Sequence, residues 1–100
     1  MTEPFDATNL DDVIHGKLRL AVMAYLSATS EATFGEIKQR TNASDGNLSV
    51  HLRKLEEAGY VDIEKTFVAR KPQTRASLTK SGREAWLAYL DQLRTLIQPE

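Results

Sequence analysis

The 100-residue sequence contains no cysteine, which excludes disulfides and thiolate metal sites and makes the cytoplasm the expected compartment. No apolar run nears the roughly eighteen residues that a bilayer span requires. The acidic beginning does not resemble a signal peptide, so no membrane partner is expected. Catalytic signatures are also missing: there is no nucleophile elbow, phosphate-cradling glycine loop or zinc-protease helix. The two histidines, His15 and His51, have no clustered carboxylates that would make a metal site with them. The acidic pairs Asp11-Asp12 and Glu56-Glu57 are adjacent in sequence, so on a helix they splay apart instead of converging. The expectation is a protein that is not an enzyme, with no catalytic residues, no metal and no cofactor.

Charge of one sign is missing from two whole segments. Residues 1–15 hold Glu3, Asp6, Asp11 and Asp12 and no lysine or arginine. Residues 65–83 hold Lys65, Arg70, Lys71, Arg75, Lys80 and Arg83 and no acid. A net charge of -1 therefore does not exclude a polyanionic partner, because the local field steers binding.

Apolar residues make up 41% and charged residues 27% of the chain, which fits one globular domain with a single core. Residues 1–8, with Pro4 and few apolar groups, read as a flexible arm, and residues 9–98 as the domain. Asn9 is placed to cap a long first helix whose apolar stripe runs to about Ala28, with Gly16 as a weak point in its middle. Thr29 to Ala32 reads as a turn, and Thr33-Phe34-Gly35-Glu36 fits a capping box opening a helix of about two turns to Thr41. After Asn42-Ala43 a third helix follows, over 44–58. Ser44 caps it, and Ala43 and Leu48 are spaced as a hydrophobic staple. Leu48, Leu52 and Leu55 supply an apolar stripe, and Gly59 stops it. Any surface helix has such a stripe. What distinguishes this one is order: a short helix before it, then the alternating Val61-Asp62-Ile63-Glu64, a basic loop over Phe67–Gln73 and a return strand over Thr74–Thr79. The loop looks longer than a two-residue hairpin turn. The last helix starts at a cap on either Thr79 or Ser81 and ends before Pro99.

This order, together with Ile14-His15-Gly16-Lys17-Leu18-Arg19-Leu20, Gly46 through Val61, Arg70-Lys71-Pro72-Gln73-Thr74 and Leu78-Thr79-Lys80-Ser81-Gly82-Arg83, resembles small winged helix-turn-helix transcription regulators between the MarR-like and ArsR-like groups. The resemblance spans about residues 10–95. It implies a mainly α fold with a small β-hairpin, whose long first and last helices form a dimer interface. It also implies a cytoplasmic regulator of transcription, acting as a repressor on double-stranded DNA. Helix 44–58 would read the major groove and the wing, 65–75, would contact the backbone.

The matching helix positions are Gly46, Asn47, Ser49, Val50, Arg53 and Lys54, with Ser44 at the helix start. Val50 stands at a position often polar in relatives, which suits it to a thymine methyl or sugar. Gln73 stands where relatives often carry a basic residue. Arg70, Lys71 and Arg75 can neutralise phosphates and release counterions, whereas Arg53 or Lys54 could instead pair with Glu56 or Glu57. His51, beside the leucine stripe, reads as a partly buried structural residue. Trp86, Leu90, Leu93 and Ile97 recur at helical spacing. With Tyr89, Leu96, Leu10, Val13 and Ile14 they make the expected dimer interface. Two alternatives stay open: a winged-helix adaptor that binds protein and not DNA, and a sensor of an unknown small-molecule effector with a pocket near Tyr25, Trp86 and Tyr89.

Overall fold

The computed structural model describes residues 10–97; the arm expected over 1–8 and the Asn9 cap lie outside that range. The elements are α1 (Lys17–Ser27), β1 (Ala32–Thr33), α2 (Phe34–Thr41), α3 (Asp45–Glu57), β2 (Val61–Val68), β3 (Lys71–Leu78) and α4 (Lys80–Ile97). The strands form an antiparallel sheet in the order β1-β3-β2. Its core is shared by every layer: Val22, Met23 and Leu26 from α1, Ile37 from α2, Leu48, Leu52 and Leu55 from α3, Val61 and Ala76 from the sheet, and Trp86 and Tyr89 from α4. Fully burying one such leucine stabilises the fold by about 1.5–3 kcal/mol, so the α3 stripe alone ties that helix firmly to the body.

Helix boundaries follow local chemistry where a cap is present. Thr33 and Glu36 close the expected capping box on α2, with Glu36 N–H donating to Thr33 Oγ1 at 3.1 Å and Thr33 N–H to Glu36 Oε1 at 2.8 Å. Ser44 Oγ accepts from Asn47 N–H at 3.2 Å and starts α3. Gly59, at φ 82°, ends α3 in a Schellman arrangement: its N–H donates to Glu56 O and that of Tyr60 to Leu55 O. Thr79, not Ser81, caps α4, since its Oγ1 accepts from Gly82 N–H at 2.8 Å.

Three expectations need correction. The long first helix is shorter: α1 starts at Lys17, because Gly16 is extended (ψ 141°) and breaks the helical path. Residues 11–15 instead make one separate turn, whose Val13 and Ile14 N–H groups donate to Asp11 Oδ1 at 2.8 and 3.2 Å. The segment read as a turn runs directly into an unexpected strand, β1, which begins at its last residue and pairs Ala32 with Ala76 and Thr33 with Arg75; two residues are too few to show an alternating pattern. The wing also lacks a long loop. β2 and β3 pair without interruption from Val61↔Leu78 to Val68↔Lys71, and only Ala69 and Arg70 turn the chain. Both have left-handed φ, 52° and 68°, which matches the twist of a two-residue hairpin. Ala-Arg lacks the asparagine or glycine that usually marks such a turn.

Candidate nucleic-acid interface

The leucine stripe fixes which side of α3 faces out. With Leu48, Leu52 and Leu55 buried, Gly46, Asn47, Ser49, Val50, Arg53 and Lys54 are all exposed. Nothing lies within 4 Å of where a Gly46 side chain would begin, so a partner surface can approach the backbone there. Ser44 is committed to its cap, which leaves its hydroxyl proton as the group it can offer. The ion pairs among the described residues are Lys38–Asp45, Arg75–Glu31 and Arg94–Asp91. Arg53 and Lys54 join none of them, so neither pairs with Glu56 or Glu57. The Lys38–Asp45 contact, 2.7 Å, links α2 to the first turn of α3 across the helix-turn-helix connection.

Strand alternation sorts the wing into two faces. Val61 and Ile63 face the core, so Lys65 and Phe67 continue that inner face, opposite Thr74 and Pro72. A groove of about 510 Å³ lies between wing and α3, lined by Phe34, Ser49, Arg53, Glu56, Lys65 and Thr74 among others. Lys65 is thereby brought beside the outward residues of α3, a placement that period-two counting from Val61 could have found. Arg75 lies on the other face, opposite Glu64. Its guanidinium is held there by Glu31 Oε1 at 2.5 Å and, through Nε, by Gln73 Oε1 at 3.0 Å. Arg70 and Lys71 are exposed at the tip.

Behind the helix, His51 is half-buried and its Nδ1 accepts from the Arg19 guanidinium at 2.8 Å. Burial pushes the imidazole below its usual pKa, and the positive charges of Arg19 and Lys54 add to that shift. Arg19 also donates to the Val13 and Asp12 carbonyls, so it ties α3 to the turn before α1. His15 Nδ1 and Tyr89 OH share a hydrogen bond at 2.8 Å, and Tyr60 OH donates to Asp11 Oδ2 at 2.5 Å.

An extended hairpin packed beside an outward-facing second helix of a helix-turn-helix is the geometry of a winged helix. The sequence agrees: residues 18–97 match the family model described as winged helix DNA-binding domain. The chain belongs to this family. Among relatives of the winged-helix domain, an uncharacterized protein of Methanocaldococcus jannaschii is 31% identical over 84 residues, which are 84% of this chain and 91% of that protein. The structure of a transcriptional regulator homologue from Pyrococcus horikoshii OT3 superimposes with a TM-score of 0.81 at 30% identity, covering 87% of this chain and 86% of that one. More distant structures share the fold. A MarR-family transcriptional regulator from Silicibacter pomeroyi does so at TM-score 0.69 and 22% identity, over 87% of this chain and 57% of that one. AbfR bound to DNA does so at 0.71 and 22%, over 79% and 57%.

The residues expected between subunits divide by burial. Ile14, Trp86 and Tyr89 lie in the core of the single winged-helix domain. Leu10, Val13, Leu90 and Leu93 pack partly against that core, whereas Leu96 and Ile97 are exposed. Leu87, 60% exposed, extends this apolar surface on α4 and was missed because it lies off the counted stripe. Each aromatic expected near an effector pocket already has a partner. Trp86 stacks on Tyr89 at 6.1 Å between ring centroids, and the Arg40 guanidinium carbon lies 5.5 Å from the centre of the Tyr25 ring. Among the described residues no helix is long and apolar enough to cross a membrane, and no group of three histidine, cysteine or acidic side chains could hold a metal ion.

Proposed function

We propose that this winged-helix domain is a sequence-specific regulator of transcription that binds an operator as a homodimer and represses by occupying it. The observation that carries this reading is the joint geometry of α3 and the wing. Arg53, Lys54, Lys65, Arg70 and Lys71 are exposed, outside every ion pair among the described residues, and spread over the outward face of α3 and the hairpin beside it. In this reading Asn47, Ser49 and Val50 meet base edges in the major groove, with Arg53 and Lys54 reaching guanines or phosphates. Gly46 lets the helix approach closely, and Ser44 offers its hydroxyl to a phosphate. Arg70 and Lys71 hold the backbone, while Arg75 can join them only by sharing its guanidinium with Glu31. A second copy would pack along Leu87, Leu90, Leu93, Leu96 and Ile97 of α4, supported from beneath by Trp86 and Tyr89 and flanked by Leu10, Val13 and Ile14. A two-fold dimer then requires half-sites about one helical turn apart.

The test is fluorescence anisotropy on a random duplex pool at several salt concentrations, followed by sequencing of the bound fraction. The expected result is a steep salt dependence with enrichment of a motif that has dyad symmetry. Absence of binding at low salt would refute the proposal and favour a protein-binding adaptor.

A further inference from the structure

The DNA reading leaves the wing tip unexplained, because its outermost inner-face residues are apolar. Phe67 is 77% exposed and pairs across the hairpin with exposed Pro72, and Val68 beside it is 48% exposed. Phe67 stands four positions along the strand from Ile63, where the inner face leaves the core. At about 3.3 Å per residue that places Phe67 roughly 13 Å beyond the body. The centre of the adjacent minor groove lies about half a helical turn, or about 17 Å, from a helix seated in the major groove. The patch is ringed by Lys65, Arg70 and Lys71, and residues 65–83 contain no acid to repel phosphates.

Resting on the DNA reading above, we infer that Phe67, backed by Pro72, is a wedge that inserts at a base step in the minor groove flanking the α3 contact. There it partly unstacks and bends the duplex. An aromatic ring has no hydrogen-bonding group with which to read a base edge, so its sequence preference must come from the cost of deformation. Flexible pyrimidine–purine steps would be preferred to stiff A-tracts at a position that no polar side chain reads.

The experiment uses the full chain and end-labelled duplexes that carry the motif enriched from the random pool, with a TA, CA or AA step at the flanking position. Anisotropy reports affinity and energy transfer between the ends reports bending. Wild type should bend the TA duplex by about 20–40° and bind it roughly tenfold tighter than the AA duplex. Phe67→Ala should still bind, with the bend lost and the step preference below about twofold, whereas Phe67→Leu should keep part of both. Because the side chain is exposed, an unchanged circular dichroism melt should accompany each variant. Wild-type binding without bending, or a Phe67→Ala variant that bends equally, would overturn the wedge while leaving the DNA reading intact. No wild-type binding to any duplex would overturn both. Self-association of wild type that Phe67→Ala abolishes, without bending, would reassign the patch to a second copy of the chain and also overturn the wedge.

Discussion

The junction around Tyr60 lies between α3 and the wing in the chain, yet it is built in the opposite way from the outward face that those two elements present. At the junction nearly every polar group has a partner within the chain. Tyr60 OH donates to Asp11, Tyr60 O accepts from Thr79 N–H at 3.0 Å, and Thr79 Oγ1 donates to Gly59 O at 2.6 Å while capping α4. Four segments meet there: the turn before α1, the end of α3, the end of β3 and the start of α4. On the α3 and wing face, Arg53, Lys54, Lys65, Arg70 and Lys71 join no ion pair among the described residues, and the apolar tip is exposed. The difference teaches where each kind of substitution registers. A change at the junction alters how α3 and the wing are held, and a change on the face alters only what they present to a partner. Stability and binding should therefore separate cleanly between the two regions.

The largest expected effect breaks the junction. A Cβ added at Gly82 would lie 2.0 Å from Tyr60 O and 2.8 Å from its carbonyl carbon, both backbone atoms, so no side-chain rotation relieves the clash. Gly82→Ala must push α4 off the end of α3, at a cost of about 3 kcal/mol. For a domain of this size that lowers the melting temperature by roughly 12–24 °C. Gly46→Ala, on the other face and with open space around it, should leave the melt within about 0.5 kcal/mol. A calorimetric scan of the two variants compares the regions directly, and equal melts would contradict the close packing at Tyr60.

A somewhat smaller effect comes from alkali. The hydrogen bond to the Asp11 carboxylate, together with burial and the negative charge itself, pushes the Tyr60 phenol up to about 12 from its ordinary value of 10.0. The folded state thus holds this proton more tightly than the unfolded chain. Its stabilisation is fully present below about pH 10 and is lost as pH rises through about 12; the shift corresponds to at most about 2.7 kcal/mol, reduced by solvent screening at this partly exposed group. Tyr60→Phe removes both the bond and its titration. The urea-derived stability of wild type should fall more steeply from pH 10 to 12 than that of the variant. Parallel curves would mean that the Asp11 contact does not hold the phenol.

The same contrast explains what could be read in advance. The Thr33–Glu36 box, the Ser44 cap and the Gly59 stop act within four residues, so spacing alone reveals them, and with them the helix-turn-helix and its outward residues. The first helix is shorter than its apolar stripe suggests because that stripe runs through Gly16 without a break, while the backbone turns extended there and Asp11 closes a separate turn ahead of it. The weak point at Gly16 is legible, but the contact that anchors this turn to Tyr60, 49 positions away, is not. Thr79 could not be told from Ser81 as the α4 cap until Gly59 O was placed against it. Arg75 looked equivalent to Arg70 in a run of basic residues. Its partner Glu31 stands 44 positions earlier, and only the pairing of β1 with β3 brings the two together. Lys65 falls within the wing expected over 65–75, but its place on the inner face beside α3 follows only when the Val61–Ile63 alternation is carried on past Glu64.

The smallest expected effect sharpens the comparison within the wing itself. Lys65 faces the groove beside Ser49 and Arg53, whereas Arg75 sits on the outer face against Glu31, opposite Glu64. Each free cation that meets a phosphate releases about one counterion, so its removal flattens the dependence of log affinity on log salt by about 0.9. Lys65→Ala and Arg70→Ala should each show that loss, weakening binding on all sequences alike. Arg75→Ala should show little of it, because the guanidinium is already neutralised within the chain; its effect should appear as a modest loss of stability, below about 1 kcal/mol for a half-exposed pair. Anisotropy titrations of the three variants across salt, on one duplex, decide the matter. If Arg75→Ala lost the full slope and Lys65→Ala none, the outer face of the hairpin and not the inner one would be turned toward the DNA, and the docking of the wing would have to be reversed.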